Sequence, residues 1–279
     1  MKVDKNRLFS DIPLTKDQLT ENTPVVVDCG GVPLYALFYP PDKTYEGPRP
    51  FVCLCHGFPG NTCNDDLAMA LRRCGFAVLR VFHRGSWGNA GWYNFTNNIS
   101  DARRFTEWVL ENKDALNVDP DLVFLCGHSV GGQTVINVGK QLDYVKGVVA
   151  LAPYDCGHFY VDNCVEGLAE LANANPLSLK QEYPGAWMDD AGDNADELYF
   201  PNAAEGLKDK DMLFVTASYD FVASKEIMCD PLIKALEEKG GKGSVKSVVL
   251  EDNHDFTCTR TKLAETVAEW LCEEVAKFE

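Results

Sequence analysis

The sequence is short of histidine, short of cations and free of long apolar runs, and each shortage removes a class of function. No stretch reaches the ~18 apolar residues that a membrane helix needs, so no membrane span is expected. The opening Met1-Lys2-Val3-Asp4-Lys5-Asn6-Arg7 leads into no apolar signal core, which points to a cytoplasmic protein. Lys and Arg number 26 against 42 Asp and Glu, a formal net charge of −16. Such a surface repels phosphate backbones and argues against a nucleic-acid partner. Paired Cys-x-x-Cys motifs and His-Glu-x-x-His are both missing, so no metal is expected. Internal repeats and low-complexity segments are missing too, which sets aside solenoids and disordered linkers.

What is present is enough for one large core: 279 residues, 46% of them hydrophobic. The 11 cysteines are an odd number, so at least one cannot pair within the chain. Reduced thiols in the cytoplasm fit best. Cys53 and Cys55 stand two apart in an apolar run, so as strand residues they face one packed layer and read as structural.

Along the chain, the first ~20 residues are polar and read as a surface arm. Residues 25–27 and 33–39 read as strands around Cys29-Gly30-Gly31. Strand and helix then alternate. Strands are expected at 51–55, 76–82, 122–126 and 145–151, and helices at 65–74, 99–110 and 130–142, with Asn98 or Ser100 capping the second helix. Near-continuous apolar strands between helices mean a mostly parallel sheet covered on both faces. Ligands of such sheets bind beyond the carboxyl ends of the strands.

The alternation breaks at residues 154–205, which read as a cap or lid inserted after the sixth strand, with 1–153 and 206–279 forming the core. The insertion holds eleven Asp and Glu and one cation, Lys180. It is also rich in aromatic residues. Afterwards strands are expected at 212–217 and 245–250, and helices at 224–239 and 257–277.

Chemistry concentrates at those strand ends. Gly127-His128-Ser129-Val130-Gly131 follows a strand and opens a helix, the context of a nucleophile elbow. Small neighbours let a strained turn lift the Ser129 hydroxyl above the sheet, and the helix N-terminus behind it favours developing negative charge. A serine needs a base, and only five histidines can supply one. His56 ends a strand before Gly57 and reads as structural, His83 ends another strand beside Arg84-Gly85, His128 points away within the elbow, and His158 lies in the insertion. His254, just after the last strand, is the base of choice. Asp220 follows the strand before it and completes the order Ser, Asp, His, with Asp252 as its main competitor for the acid. Backbone amides of Phe58, in His56-Gly57-Phe58-Pro59-Gly60, and of Val130 are the expected oxyanion donors.

Together these motifs resemble the α/β-hydrolase superfamily from about Val25 to the end of the chain. His56-Gly57 is similar to its oxyanion loop, and Arg84-Gly85-Ser86-Trp87-Gly88 to its Arg-Gly-x-Gly stretch. Within the superfamily the chain looks closest to bacterial feruloyl- or cinnamoyl-esterase-like carboxylesterases and to the catalytic domains of prolyl-oligopeptidase-like enzymes. The resemblance implies an eight-stranded sheet, a covalent acyl-enzyme and no cofactor. Two departures stand out. The chain has no room for the β-propeller of prolyl oligopeptidases, and the acidity of the cap is not a family requirement.

The expected function is hydrolysis of a small-molecule carboxylic ester through Ser129, His254 and Asp220. Trp87, Trp92, Tyr154 and Trp187 are candidates for the substrate wall, because aromatics near a lid suit acyl or aryl groups. The alternatives are a small peptidase or amidase, whose acidic cap would hold a substrate amine, and a binding protein that kept the fold without the chemistry. A homodimer is left open.

Overall fold

The computed structural model describes residues 2–174 and 179–279. Its strands are β1 Thr23–Asp28, β2 Pro33–Tyr39, β3 Arg49–Cys55, β4 Ala77–Val81, β5 Val118–His128, β6 Val145–Leu151, β7 Asp211–Ala217 and β8 Val245–Leu250. They form one eight-stranded sheet in the order β1-β2-β4-β3-β5-β6-β7-β8. β2 runs antiparallel to both β1 and β4, and every other pairing is parallel.

Burial follows position in that order. β3 and β4 are buried along their whole length, whereas the edge strand β8 is largely exposed. A central parallel strand is covered on both faces, so both its side-chain sets must be apolar. Successive residues of β3 accordingly enter different layers. Phe51, Cys53 and Cys55 join one hydrophobic cluster, and Val52 and Leu54 the other. Each fully buried Leu, Val or Phe contributes about 1.5–3 kcal/mol of transfer free energy.

The helices supply the covers. They are α1 Asp65–Arg73, α2 Phe95–Glu111, α3 Lys113–Leu116 and α4 Val130–Gly139, then α5 His158–Val161, α6 Glu166–Ala174, α7 Ala186–Asp193 and α8 Ala195–Leu198 within residues 154–205, α9 Ala204–Leu207 across the end of that segment, and finally α10 Lys225–Met228, α11 Asp230–Lys239 and α12 Arg260–Ala276. Phe105 of α2, Ile136 of α4 and Leu232 of α11 pack on one face. Leu71 of α1 and Trp270 and Leu271 of α12 pack on the other.

At three of the helix limits that differ from the sequence expectation, the structure shows a local reason. α2 begins at Phe95, because its cap is Asn94, whose side chain accepts from Asn97 N at 2.8 Å, and not Asn98 or Ser100. Asp190 of the insertion adds acceptors for the Phe95 and Thr96 amides at 2.8 and 3.1 Å. The helix expected at 224–239 is two helices, broken at Cys229 ahead of Pro231, whose ring removes an N–H and clashes with the preceding turn. α12 starts at Arg260 because the Asp252 carboxylate accepts the Cys258 and Thr259 amides at 2.9 and 2.7 Å.

Residues 154–205 are held by contacts among themselves and to the rest of the chain. Asp155, buried at the end of β6, accepts from His158 N at 3.1 Å and Phe200 N at 2.8 Å. Burial pushes its carboxyl up to about 7. Trp187 of α7 is buried edge-on against Phe58, with ring centroids 5.0 Å apart.

Candidate active site

β5 ends on Gly127 and His128, and α4 begins at Val130, so Ser129 is the turn between them. Its backbone has φ 57° and ψ −123°. A left-handed non-glycine residue of this kind costs about 1–3 kcal/mol and persists only where its surroundings over-determine it. Here Ser129 N donates to Leu151 O at 2.8 Å, and Ser129 O accepts from Tyr154 N at 3.0 Å. The elbow is therefore tied to the end of β6 from both sides. Glycine is required on its flank: a Cβ on Gly131 would lie 2.4 Å from Cys55 O and 2.5 Å from His56 O.

Asp220 follows β7, and His254 follows β8. The Nδ1 of His254 lies 2.8 Å from Asp220 Oδ2. The other oxygen, Oδ1, accepts the amides of Val222 and Ala223 at 2.9 and 2.8 Å. Burial pushes the Asp220 carboxyl up, but the His254 contact and the two amides outweigh it and hold the group below its ordinary value. An ionised Asp220 fixes the Nδ1–H tautomer of His254 and leaves Nε2 as an acceptor. Asp252 is excluded as the orienting acid. One of its oxygens takes the Asn253 amide, and the other takes Thr259 Oγ1 and the two amides at the head of α12.

The structure brings Ser129, His254, Gly57, Phe58 and Val222 together around one cleft of 170 Å³. Gly57 passes so close that a Cβ there would meet Ser129 Cβ at 2.8 Å. Among the described residues, neither Phe58 N–H nor Val130 N–H has an acceptor in the protein. The Val130 amide is one of the donors that the first turn of a helix leaves unpaired.

The remaining histidines have other duties. His56 is fully buried beneath the loop Gly57-Phe58-Pro59-Gly60, with Nδ1 2.8 Å from Gly57 O. Burial drives it down to about 4 and drives His83 well below its ordinary value, so both are neutral. His128 lines the same cleft as Ser129, and its Nε2 lies 2.9 Å from His254 O. It latches the base loop to the elbow, a role that nothing in the local sequence signals, since the partners are 126 residues apart.

The four aromatic candidates separate. Trp187 is 1% exposed and belongs to the core. Trp87 is 46% exposed and donates Nε1–H to Pro59 O at 2.9 Å, so it props the loop that follows Phe58. Trp92 is 48% exposed and lines neither the cleft nor the cavity next to it. Tyr154 alone meets that neighbouring cavity, a 600 Å³ space walled also by Phe159, Phe221, Val222, Ile227 and Met228. Val222 is common to the cavity and the cleft. The apolar wall comes from β7–α10 and from the start of the insertion, not from tryptophans. Among the described residues no group of three or more His, Cys, Asp or Glu could hold a metal ion.

Comparison with known proteins agrees with this architecture. A family model described as Serine aminopeptidase, S33 (Hydrolase_4) matches residues 46–181, which include His56-Gly57 and the turn at Ser129. No curated protein sequence matches the chain. Among solved structures, the chain is similar to Est1E from Butyrivibrio proteoclasticus, at 18% identity and TM-score 0.64, over 91% of this chain and 99% of that one. It is similar to brefeldin A esterase, a bacterial homologue of human hormone sensitive lipase, at 18% identity and TM-score 0.67, over 98% of this chain and 82% of the other. It also matches puromycin hydrolase at 17% identity and TM-score 0.72, over 95% of this chain but 41% of that longer one. With its strand order and its elbow, these likenesses make the chain an α/β-hydrolase by fold.

Proposed function

We propose that the chain is a serine hydrolase that cleaves carboxylic esters through an acyl-enzyme on Ser129. The observation that carries this reading is the 2.8 Å Asp220–His254 pair, set at the cleft into which the strained Ser129 projects. His254 Nε2 takes the Ser129 proton as Oγ attacks the ester carbonyl. The amides of Phe58 and Val130 receive the oxyanion, each such donor contributing about 3 kcal/mol to the barrier reduction. The imidazolium of His254, stabilised by Asp220, then protonates the leaving alkoxide. Water resolves the acyl-enzyme by the same sequence. Among the described residues, Ser129 Oγ makes no hydrogen bond to His254 before substrate arrives. In such sites that contact commonly tightens only in the Michaelis complex.

The apolar part of the substrate enters the 600 Å³ cavity past Val222. A fluorophosphonate probe is expected to label the protein once, at Ser129. Ser129→Ala should lose both the label and the turnover of short-chain esters, and retention of either overturns the assignment.

A peptidase or amidase reading has its own support in the aminopeptidase description of the matching family model. It predicts faster turnover of aminoacyl amides than of p-nitrophenyl acyl esters, and the ester reading predicts the reverse.

A further inference from the structure

The insertion opens with the short helix α5, and the way this helix stops brings three reactive side chains together. Asn163 takes a left-handed φ of 55°. The next amide, Cys164 N–H, reaches back to Phe159 O at 2.8 Å, and Asn163 N–H reaches Tyr160 O at 3.3 Å. These two bonds are a Schellman stop, and Asn is, after Gly, the residue that best tolerates its left-handed position. The stop folds Cys164 back over α5, where its Sγ lies 3.7 Å from His158 Nε2. On the far side of the ring, Nδ1 lies 2.6 Å from Asp162 Oδ2. The carboxylate accepts the Nδ1 proton, which leaves Nε2 to accept from the thiol. Thiol, imidazole and carboxylate thus stand as nucleophile, base and orienting acid. Cys164 and His158 both line the 600 Å³ cavity. Among the described residues no other cysteine has an imidazole in reach. The exposed Cys258 has only the Thr257 hydroxyl, at 3.9 Å.

We propose that Cys164, His158 and Asp162 form a thiol modification site for small neutral or cationic disulfides, opening into the cavity beside Ser129. His158 Nε2 takes the thiol proton as Cys164 Sγ attacks one sulfur of R–S–S–R. The S–S bond of the reagent breaks, Cys164–S–S–R forms, and the departing RS⁻ collects the proton from His158 and leaves as RSH. The Cys164 sulfur is oxidised and the departing sulfur reduced, so the step needs nothing beyond the disulfide itself. Burial and the carboxylates of Asp162 and Glu166 raise the Cys164 thiol above its ordinary value. Little free thiolate therefore stands ready, and attack runs through the imidazole. The same carboxylates, with Glu170 on the cavity wall, repel anionic reagents.

The test compares cystamine, a dication, with dithiobis(nitrobenzoate), a dianion, and maps the modified cysteines by tryptic mass spectrometry at neutral pH. Cys164 is expected to react ahead of the more exposed Cys258, and to favour cystamine by about tenfold. His158→Gln should slow Cys164 on the order of 100-fold and leave Cys258 unchanged. A Cys164 no faster than Cys258, or one whose rate His158→Gln leaves unchanged, overturns the proposal. These arms are run on Ser129→Ala as well, so their failure counts against the thiol site alone. A further arm rests on the ester reading: the cystamine adduct should suppress turnover of long-acyl esters more than short ones, reversibly with dithiothreitol. Absence of any ester turnover before treatment counts against the Ser129 reading alone.

Discussion

Replacing Asp220 with Asn tests the site with little change of shape, because the structure fixes how the new amide must sit. Oδ1 of Asp220 accepts two backbone amides, from Val222 and Ala223 at 2.9 and 2.8 Å. Both partners are donors, so the Asn carbonyl oxygen must stay there and the NH2 must face His254. Turning the amide over would leave two buried N–H groups opposite another donor, at about 1–3 kcal/mol each. With NH2 facing Nδ1, the imidazole carries its proton on Nε2 and can no longer accept from Ser129. The expected loss is on the order of 10⁴ in kcat, or ~5.5 kcal/mol of transition-state stabilisation. Stability should change by no more than about 1–2 kcal/mol, since the two amide bonds survive. Steady-state hydrolysis of a short-chain p-nitrophenyl ester, read beside a urea denaturation curve, separates the two effects. A variant that keeps its fold and loses less than about tenfold in kcat would refute the role of Asp220 as orienting acid.

Three further outcomes follow from the same coordinates. Asp252→Ala removes the cap of α12 and should destabilise the protein by ~1–2 kcal/mol, seen as a lower urea midpoint, while kcat falls far less than in Asp220→Asn. His128→Ala releases the His254 carbonyl, so kcat should fall with KM nearly constant; a change confined to KM would sink the latch. The third concerns pH. His56 titrates at about 4 in the fold because burial disfavours its charge, and burial beside the His254 ring lowers His128 likewise. Unfolded, each imidazole titrates near ~6.5. Between those values only the unfolded chain takes up the proton, so stability falls as the pH drops from 6.5 toward 4, by ~1.4 kcal/mol per pH unit for each. Asp155, raised to about 7 by burial, binds its proton in the folded state first and works in the opposite sense over the same range. Asp155→Asn should therefore steepen the loss on acidification. Urea midpoints across that range check it, and a variant-to-parent difference that does not move with pH would falsify the assignment.

The features legible in the sequence were those set by local periodicity. β3 to β6 read as buried strands because central parallel strands must be apolar on both sides, and turn residues bound them. That Ser129, Asp220 and His254 stand at the ends of β5, β7 and β8 is legible from the strand pattern, and the structure places Asp220 against His254. The features missed depend on partners far away in the chain. The start of α2 is fixed by Asn94 together with Asp190, about 95 residues further on. Whether a tryptophan is wall or core depends on what packs over it. Trp187 is covered by Phe58 and Tyr93, at centroid distances of 5.0 and 6.0 Å, and no pattern around residue 187 encodes either contact.

The charge of the insertion also changes meaning once its partners are known. Eleven acids against one lysine suggest a field aimed at a cationic substrate. Asp190, however, is the acceptor for two amides and a hydroxyl at the head of α2, and Asp155 is the acceptor that joins β6 to α5 and Phe200. Both are fixed by backbone donors and face inward, so neither is free to meet a ligand. Of the carboxylates facing the cavity, Glu166 and Glu170 stand four residues apart on one helix, beside Phe159 and across from Phe221, Ile227 and Met228. Any selection by charge at this cavity therefore falls to Glu166 and Glu170 on its wall, with Asp162 held against His158 beside them, and not to the insertion's acidity as a whole.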